Sequence, residues 1–319
     1  MSLGDPTGVV IDSVMVRMYE LLRKLAGGDI SVLLLGETGA GKEFAARAVH
    51  AWSRRAAGPL LALNCAALPE SLMESELFGY VKGAFTGADR NKLGLLEAAC
   101  GGTLFLDEVG ELSLGAQAKL LRAIDAREVT RIGDVTPRPV DFRLVAASNR
   151  DLAAERVRRQ FREDLYYRLA AATVTVPPLR EHSGDIPALA RMFVARACGA
   201  MARSPLPLSD AAMQLLLSYR FPGNVRELAN AIDYGVATAA GDRIESWDLP
   251  AGLGTGEPGS GEPGSQARFQ PIAEEIAALE KRRMTEALAV SGGNQSEAAK
   301  LIGMPRRTFV RKMRQYRLC

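Results

Sequence analysis

Residues 32–42 read Val-Leu-Leu-Leu-Gly-Glu-Thr-Gly-Ala-Gly-Lys, an apolar run that leads into a glycine-rich stretch and a lysine. The apolar run is typical of a buried strand, and the residues after Lys42 favour a helix. In a strand-loop-helix setting, glycines let successive backbone N–H groups point at an anion, and the start of the helix adds positive potential. The stretch therefore predicts a phosphate-binding loop, and the alternative is a glycine-rich turn without a ligand.

The loop fits the pattern GxxxxGK, in which the lysine reaches the β and γ phosphates of a bound nucleotide. Glu43 follows the lysine, where a Ser or Thr hydroxyl usually holds Mg²⁺, so the metal must rely on another group. The residues that we expect to bind ATP are Gly36, Glu37, Thr38, Gly39, Ala40, Gly41, Lys42 and Glu43.

A second apolar run, residues 103–106, is followed by Asp107 and Glu108. Parallel α/β sheets bind ligands at the carboxyl ends of their strands, so both carboxylates are predicted to lie beside the phosphate loop. We expect Asp107 to hold Mg²⁺, directly or through water, and Glu108 to polarise the water that attacks the γ-phosphate. An ordinary salt-bridged or capping pair is the alternative.

The order of the sequence patterns predicts the fold. Up to residue 176, strand-like runs alternate with helical patterns, which indicates an α/β fold with three αβα layers and a parallel sheet. Between residues 185 and 240 helical stretches follow one another, which predicts a helical lid. We therefore assign residues 1–176 to the α/β ATPase subdomain, 177–250 to the lid, 251–270 to a flexible linker and 271–319 to an all-α helix-turn-helix domain.

Composition limits the class of protein. With 47 % hydrophobic and 24 % charged residues, the 319-residue chain suits a globular protein with an ample core. The four cysteines are scattered without CxxC spacing and there are only two histidines, so we expect reduced thiols and no Cys/His metal site. No run approaches the roughly eighteen apolar residues of a membrane span, and no signal peptide begins the chain. We therefore expect a cytoplasmic protein without a membrane partner.

The linker and the module after it are distinct in composition. Residues 256–265 repeat Gly-Glu-Pro-Gly-Ser twice, which is typical of a flexible linker. From Arg268 onward, eleven Lys and Arg residues stand against five Glu, a net charge of +6, whereas residues 1–267 carry −3. This basic excess suits contact with a polyanion, although a solvated basic helix has the same charge pattern.

The last residues predict two helices joined by a turn. Gly303 suits the end of the first helix, and Pro305 suits the first turn of the second. The expected buried positions are Ala298, Ala299, Leu301, Ile302, Phe309, Met313 and Tyr316 or Leu318. The expected DNA contacts are Arg306, Arg307, Thr308, Arg311, Lys312 and Arg314. A helical hairpin used only for dimerisation is the alternative.

Residues 83–88 read Gly-Ala-Phe-Thr-Gly-Ala and lie between the phosphate loop and the acidic strand end. Two glycines four residues apart permit tight or positive-φ turns, so Phe85 and Thr86 can stand out at the tip. An exposed Phe indicates a partner. The alternative is an ordinary turn whose Phe packs back into the core.

Together these motifs resemble the AAA+ ATPase domain of the bacterial sigma-54-dependent transcriptional activators, nearly from end to end. Besides residues 36–43, 83–88 and 101–108, the shared segments are Glu-Leu-Phe-Gly at 76–79, Ser-Asn-Arg-Asp-Leu at 148–152, Phe-Arg-Glu-Asp-Leu-Tyr-Tyr-Arg-Leu at 161–169, Pro-Pro-Leu-Arg-Glu at 177–181 and Pro-Gly-Asn-Val-Arg-Glu-Leu at 222–228. Residues 294–318 resemble the Fis-type DNA-binding domain that ends these activators. The family also carries an acidic residue where this chain has Glu43.

The resemblance implies further roles. Asn149 is the expected sensor near the γ-phosphate, and Arg226 is the expected sensor on the lid. Arg162 and Arg168 resemble paired arginines that reach into a neighbouring subunit's site, although taken alone they suit surface salt bridges. Asn64 and Glu97 match positions that link nucleotide state to the loop, Asn64 by holding Glu108 in one of two orientations. The expected contacts to sigma-54 are Gly83, Ala84, Phe85, Thr86, Gly87 and Ala88.

The resemblance implies a transcription activator that dimerises through its C-terminal domain on upstream enhancer DNA and assembles a ring, a hexamer or heptamer. It would hydrolyse ATP with Mg²⁺ and remodel sigma-54 RNA polymerase through the 83–88 loop to open promoters. A DNA-binding repressor or non-sigma-54 regulator that uses ATP as an oligomerisation ligand is the alternative. The loop and the helix-turn-helix argue against a general AAA+ remodeller.

Overall fold

The structure is a computed structural model that describes residues 10–254, 284–285, 287–288, 291 and 294–315. The chain divides into two units, residues 1–259 and residues 260–319. Among the helices of these described stretches, none has the length and apolar character that crossing a bilayer requires.

A parallel sheet forms the centre of the first unit. In chain order the strands are β1 (Val32–Leu35), β2 (Leu60–Asn64), β3 (Thr103–Asp107), β4 (Glu128–Val129), β5 (Arg138–Pro139), β6 (Arg143–Ser148) and β7 (Ala172–Thr175). The sheet has the order β2-β3-β6-β1-β7, while β4 and β5 pair separately as a short antiparallel hairpin. Its register aligns Asn64 with Asp107 and Leu35 with Ser148, so the carboxyl ends of the strands meet at one edge.

Helices cover both faces of the sheet, which confirms the predicted three layers. They are α1 (Ser13–Ala26), α2 (Lys42–Ala51), α3 (Glu70–Phe78), α4 (Leu95–Ala98), α5 (Leu114–Ala126), α6 (Leu152–Val157) and α7 (Glu163–Leu169). Successive side chains of a strand point to opposite faces. Accordingly Leu33 packs in one core with residues of α3, α5 and α7, whereas Val32 and Leu34 pack in another with residues of α1 and α2.

The lid is helical, as predicted, and has a core of its own. Its helices are α8 (Ile186–Ala200), α9 (Asp210–Ser218) and α10 (Asn224–Thr238). Phe193, Leu216 and Ile232 are among the residues that pack together in this core. The packed region continues past the predicted boundary at residue 250, because Leu253 is only 6 % exposed and packs into the same core. A short 3₁₀ turn, Ala251–Gly254, therefore belongs with the lid instead of the linker.

The second unit contains the predicted pair of helices, α11 (Gln295–Leu301) and α12 (Arg306–Gln315). Gly303 has a φ of +64° in the turn between them, which is the left-handed conformation expected after a helix. The buried residues include Ala298, Ala299, Phe309 and Met313, as predicted.

One prediction for this unit was wrong. Leu301 is 59 % exposed and lies outside the packed face of α11, where the apolar pattern alone could not place it. Tyr316 and Leu318, most of the expected dimer helix over residues 271–291, and the Gly-Glu-Pro-Gly-Ser repeats lie outside the described residues.

Candidate functional site

A cleft of about 570 Å³ lies between the phosphate loop, the carboxyl edge of the sheet and the lid. Its walls include ten of the residues that the sequence predicted for a nucleotide site: Thr38, Gly39, Gly41, Lys42, Glu43, Asn64, Asp107, Glu108, Asn149 and Arg226. Gly36 and Ala40 belong to the same loop but do not line this cleft, and Ala40 is buried behind it. The parallel strand ends and the loop therefore meet as the sequence predicted.

Lys42 is buried at the base of the cleft, with only 6 % of its side chain exposed. Its Nζ donates to the carbonyl oxygens of Gly36 and Glu37 at 2.9 and 3.3 Å and lies 3.5 Å from Oε1 of Glu108. The loop carbonyls and a carboxylate thus hold the ammonium group in one place. An anionic ligand can bind to it there without further ordering of the lysine side chain.

Glu108 connects the phosphate loop with the end of β6. Its Oε2 accepts a hydrogen bond from the backbone N–H of Asn149 at 3.0 Å, while its Oε1 faces Lys42. The amide of Asn149 in turn donates to Oγ1 of Thr38 at 3.1 Å. Glu108 has a φ of +52°, a left-handed conformation that is uncommon for a residue with a side chain and that concentrates at functional sites.

Asp107 lies beside Glu108 and is contacted from β2. Asn64 donates from Nδ2 to Oδ2 of Asp107 at 3.3 Å. The family resemblance had implied that Asn64 holds Glu108, whereas in this structure it contacts Asp107. The strand register explains this correction, because Asn64 and Asp107 are direct partners across β2 and β3. Burial raises the pKa of the Asp107 carboxyl, the charge of Glu108 raises it further, and Lys42 partly offsets both effects.

The residues around Asp107 fit a hard divalent cation. Mg²⁺ prefers oxygen ligands and is commonly held by one or two carboxylates, water and substrate phosphates, without a complete protein cage. Two adjacent carboxylates at the sheet edge supply such oxygens, and a cation bound there would favour the charged form of Asp107, which burial and, to a lesser extent, the charge of Glu108 disfavour. Among the described residues there is no cluster of three or more His, Cys, Asp or Glu that would bind a metal by itself.

The 83–88 loop leaves the α/β subdomain as a compact turn. Gly83 and Gly87 have φ values of +83° and +97°, which confirms the positive-φ turns that the sequence predicted. The N–H of Gly83 donates to the carbonyl oxygen of Ala88, which closes the loop at its base. Thr86 is exposed at the tip. Phe85 is 46 % exposed and rests edge-on against Tyr80 with ring centroids 4.9 Å apart, so it is not packed into the core.

The hairpin of β4 and β5 supports the base of this loop and was missed by the sequence analysis. The N–H of Val81 donates to the carbonyl oxygen of Ile132, and Gly133 approaches Ala84 so closely that a side chain at residue 133 would collide with it. Arg131 of the hairpin forms a bidentate pair with Glu97 of α4, at 2.7 and 2.9 Å. Glu97 therefore contacts the hairpin that packs against the base of the loop. The family resemblance implied that Glu97 connects nucleotide state to this loop.

Three family models match successive parts of the chain. Residues 9–175 match the sigma-54 interaction domain, residues 180–266 match an AAA+ ATPase lid domain, and residues 275–316 match the Fis family of bacterial regulatory proteins. The first match covers more than half of the 319 residues. The chain belongs to the sigma-54-dependent transcriptional activators.

Named members of this family resemble the chain along nearly its whole length. The transcriptional regulatory protein ZraR of Klebsiella oxytoca is 46 % identical over 96 % of this chain and 68 % of its own length. The nitrogen fixation protein AnfA of Azotobacter vinelandii is 45 % identical over 98 % of this chain and 58 % of its own length. The crystal structure of NtrX from Brucella abortus in complex with ADP has a TM-score of 0.72 at 31 % identity and covers 98 % of this chain and 70 % of that one. The chain thus spans between 58 % and 68 % of the two regulators' lengths.

The two arginines that resemble the activators' paired arginines lie away from the cleft of their own chain. Arg162 precedes α7 and binds Asp164 through two hydrogen bonds, at 3.0 and 2.6 Å. Arg168, near the end of α7, pairs with Asp125 of α5. Both side chains are more than 40 % exposed. Neither lines the cleft.

The lid is fastened to the phosphate loop by Glu37, which the sequence had assigned to the nucleotide. Arg180 donates two hydrogen bonds to the Glu37 carboxylate, at 2.8 and 2.6 Å, and the Asn224 amide donates a third at 3.0 Å. These contacts, chiefly those of Arg180, lower the pKa of Glu37 from 4.5 to about 2. The N–H of Val225 also donates to the carbonyl oxygen of Gly39, so the start of α10 is hydrogen-bonded directly to the loop.

Several side chains in the cleft had no individual signal in the sequence. Phe44 is 53 % exposed just after the phosphate loop, and the lid contributes Phe193, Arg196 and Asn230. Arg196 lies over the ring of Phe193 and pairs with Asp233, which fixes its position on the lid. Only Phe44 could have been suspected, as an aromatic residue on the amphipathic helix next to the lysine.

In the second unit, Arg306 and Arg307 are exposed at the start of α12, and Thr308 is half-buried. Lys312 is half-buried as well. The side chains of Arg311 and Arg314 lie outside the described part of the chain. The described residues thus place the first two predicted cations on the outer side of α12, while Phe309 faces the core.

The Glu37 pairing predicts how acid affects the first unit. Because the folded-state pKa of about 2 lies below the ordinary 4.5, the stabilisation is complete above pH 4.5 and is lost as the pH falls towards 2. Between these values the wild type should lose stability more steeply than Glu37→Gln, and above about pH 5.5 the two profiles should run parallel. Chemical denaturation across this pH range measures the slopes. Arg180→Met, which removes the main cause, should flatten the profile as Glu37→Gln does; an unchanged slope in both variants would contradict the assignment.

Proposed function

We propose that this chain is an ATP-hydrolysing transcription activator that binds upstream DNA, assembles into a ring and uses residues 83–88 to remodel sigma-54 RNA polymerase. The geometry that supports this most strongly is the position of Glu108 between the Lys42 ammonium and the Asn149 backbone N–H, in the wall of a cleft large enough for a nucleotide. The family assignment adds the sigma-54 interaction domain and the Fis-type helix pair. Work on DNA and polymerase implies a cytoplasmic protein.

In this proposal Lys42 and the loop N–H groups bind the triphosphate, and Asp107 holds Mg²⁺. When bound, Mg²⁺ would neutralise charge on the β and γ phosphates. Glu108 orients and polarises the attacking water, since its carboxylate is held from both sides and has no freedom to turn away. Asn149 contacts the γ-phosphate through its amide, which now donates to Thr38 and can be transferred to a phosphate oxygen.

Hydrolysis in this proposal requires a neighbouring subunit. Arg162 and Arg168 lie outside the cleft of their own chain, and their exposed guanidinium groups are bound to carboxylates of their own chain. In a ring, a hexamer or heptamer, these groups would stabilise charge on the phosphoryl group of the next subunit. Arg226, on the lid side of the cleft, would sense the nucleotide and adjust the lid.

The output in this proposal is a change in the position of the 83–88 loop. Contacts of the γ-phosphate with Asn149 and Glu108 favour a raised loop, and phosphate release lowers it. Phe85 and Thr86 contact sigma-54, while the C-terminal domain, as a dimer, holds the ring near the promoter through α12. The support for this loop role is its exposed tip on a base fixed by the hairpin.

Two substitutions separate binding from hydrolysis. Lys42→Ala should lose both nucleotide affinity and turnover, whereas Glu108→Ala should keep nucleotide affinity within a few-fold and lower kcat by about 100-fold or more, because only water activation is removed. Glu20→Ala, an exposed acid on α1, is the matched control and should leave both unchanged. Equilibrium binding and steady-state ATPase assays give the two quantities. Near-normal turnover in Lys42→Ala or Glu108→Ala would contradict the site assignment.

Loop function is tested by promoter opening in vitro with sigma-54 polymerase, this protein and ATP. Opening should occur with ATP and not with a non-hydrolysable analogue. Thr86→Ala should hydrolyse ATP within about 2-fold of the wild type and fail to open the promoter, because the tip and not the cleft is changed. The control Thr173→Ala alters an exposed threonine of β7 and should retain both activities. Opening by Thr86→Ala would remove the loop from the mechanism, and no opening by the wild type, with ATPase intact, would favour the repressor.

A further inference from the structure

Gln117 is a fully buried polar residue on α5 that the sequence motifs do not include, with no exposed surface. Its Nε2 donates to the carbonyl oxygens of Leu112 and Gln160, at 2.8 and 3.2 Å. Its Oε1 accepts a hydrogen bond from the backbone N–H of Arg162 at 2.8 Å. One amide therefore joins three backbone groups from two segments of the chain, residue 112 and residues 160–162.

The segments joined by Gln117 come from two parts of the proposed mechanism. Leu112 ends the short 3₁₀ turn Val109–Glu111, which begins directly after Glu108. Gln160 and Arg162 form the approach to α7, the helix that begins directly after Arg162 and carries Arg168. Phe161, which lies between these two residues, is buried in the core, so its packing holds the same short segment that contacts Gln117.

Only an amide side chain satisfies these contacts. Two backbone carbonyl groups need a donor, and one backbone N–H needs an acceptor, which Gln supplies from one planar group. A hydrocarbon of the same size would leave the buried Leu112 carbonyl group without this partner and would remove the two half-buried contacts that hold Gln160 and Arg162. The start of α7 would move with them, because the side chain of Arg162, the N-cap residue, makes no capping hydrogen bond to the backbone of this helix.

We infer that Gln117 is a positioning residue for catalysis in the neighbouring subunit: it fixes the Arg162 backbone relative to the turn after Glu108, and so presents the arginine at the subunit interface. The inference rests on the proposed function, in which Arg162 acts in trans. Gln117 itself does not contact the nucleotide, since it is not part of the cleft wall. A defect at residue 117 should therefore affect the neighbour's site and leave the variant's own nucleotide site competent.

Mixed rings provide the test. Gln117→Met should lower kcat by about 10- to 100-fold with little change in KM for ATP, because a small displacement of a catalytic group costs turnover more than binding. Lys42→Ala is inactive alone but carries an intact Arg162 segment. When the two proteins are mixed in equal amounts, about a quarter of the interfaces in a randomly assembled ring pair a competent nucleotide site with a correctly placed arginine, and ATPase activity should return in that proportion.

A parallel mixture of Arg162→Ala with Lys42→Ala separates this inference from the proposed function. If that mixture recovers activity and the Gln117→Met mixture does not, the inference is wrong while the arginine in trans stands. If neither recovers, Arg162 does not act in trans and the inference falls with it. Near-normal kcat in Gln117→Met alone would also overturn it.

Should Gln117→Met fail to fold by circular dichroism, Gln117→Glu replaces it in the same mixtures. This variant keeps the acceptor for the Arg162 N–H, but its carboxyl group cannot make both donated hydrogen bonds and, when ionised, repels the two carbonyl oxygens. Recovery with Lys42→Ala supports the inference, and a loss of activity that mixing does not repair overturns it.

Discussion

The carboxylate of Glu108 is held from two sides, by the Lys42 ammonium and by the backbone N–H of Asn149, and the arrangement of the cleft depends on this double contact. It requires β1, β3 and β6 to end at the same level, which the parallel register provides. A shift of one residue in either strand pair would turn the polar end residues to the other face of the sheet. The hydrophobic cores on both faces, which fix that register, are therefore also what keeps the site assembled.

The same strand ends connect the cleft with the exposed loop. Asn64 contacts Asp107 in the cleft, and the chain continues from Asn64 through α3 to Tyr80, against which Phe85 rests. From the other side, Glu97 and Arg131 join α4 to the hairpin that contacts the loop base. The base of residues 83–88 is thus held by the chain segment that follows Asn64 and by the hairpin that Arg131 ties to α4. The lid is also hydrogen-bonded to the phosphate loop, through Arg180 and Glu37.

Local patterns predicted most of the fold and the centre of the site, and long-range partners account for what they missed. A few consecutive residues are enough to recognise each of three features: the glycines and lysine of the phosphate loop, the acidic end of β3, and the alternation of strands and helices. The pairing of Glu37 with Arg180 joins residues 143 positions apart, and no pattern near Glu37 distinguishes a lid contact from a nucleotide contact. The β4–β5 hairpin was not predicted, because each strand has only two residues, too few to show an alternation of apolar and polar side chains. Leu301 was predicted to be buried and is exposed, because an apolar residue on a short helix can face either the core or the solvent.

In the proposed function, the nucleotide state of the cleft sets the position of the 83–88 loop. The direct measurement is the distance between spin labels at Thr86→Cys and Arg23→Cys, the latter on α1. Cys319 and the exposed Cys100 are replaced by serine, and the buried Cys65 and Cys198 are retained. With ADP and an aluminium fluoride transition-state mimic, the distance distribution should shift by about 5 Å or more relative to ADP alone. The shift should be absent in Glu108→Gln. An unchanged distribution in a ring that hydrolyses ATP normally would contradict the account.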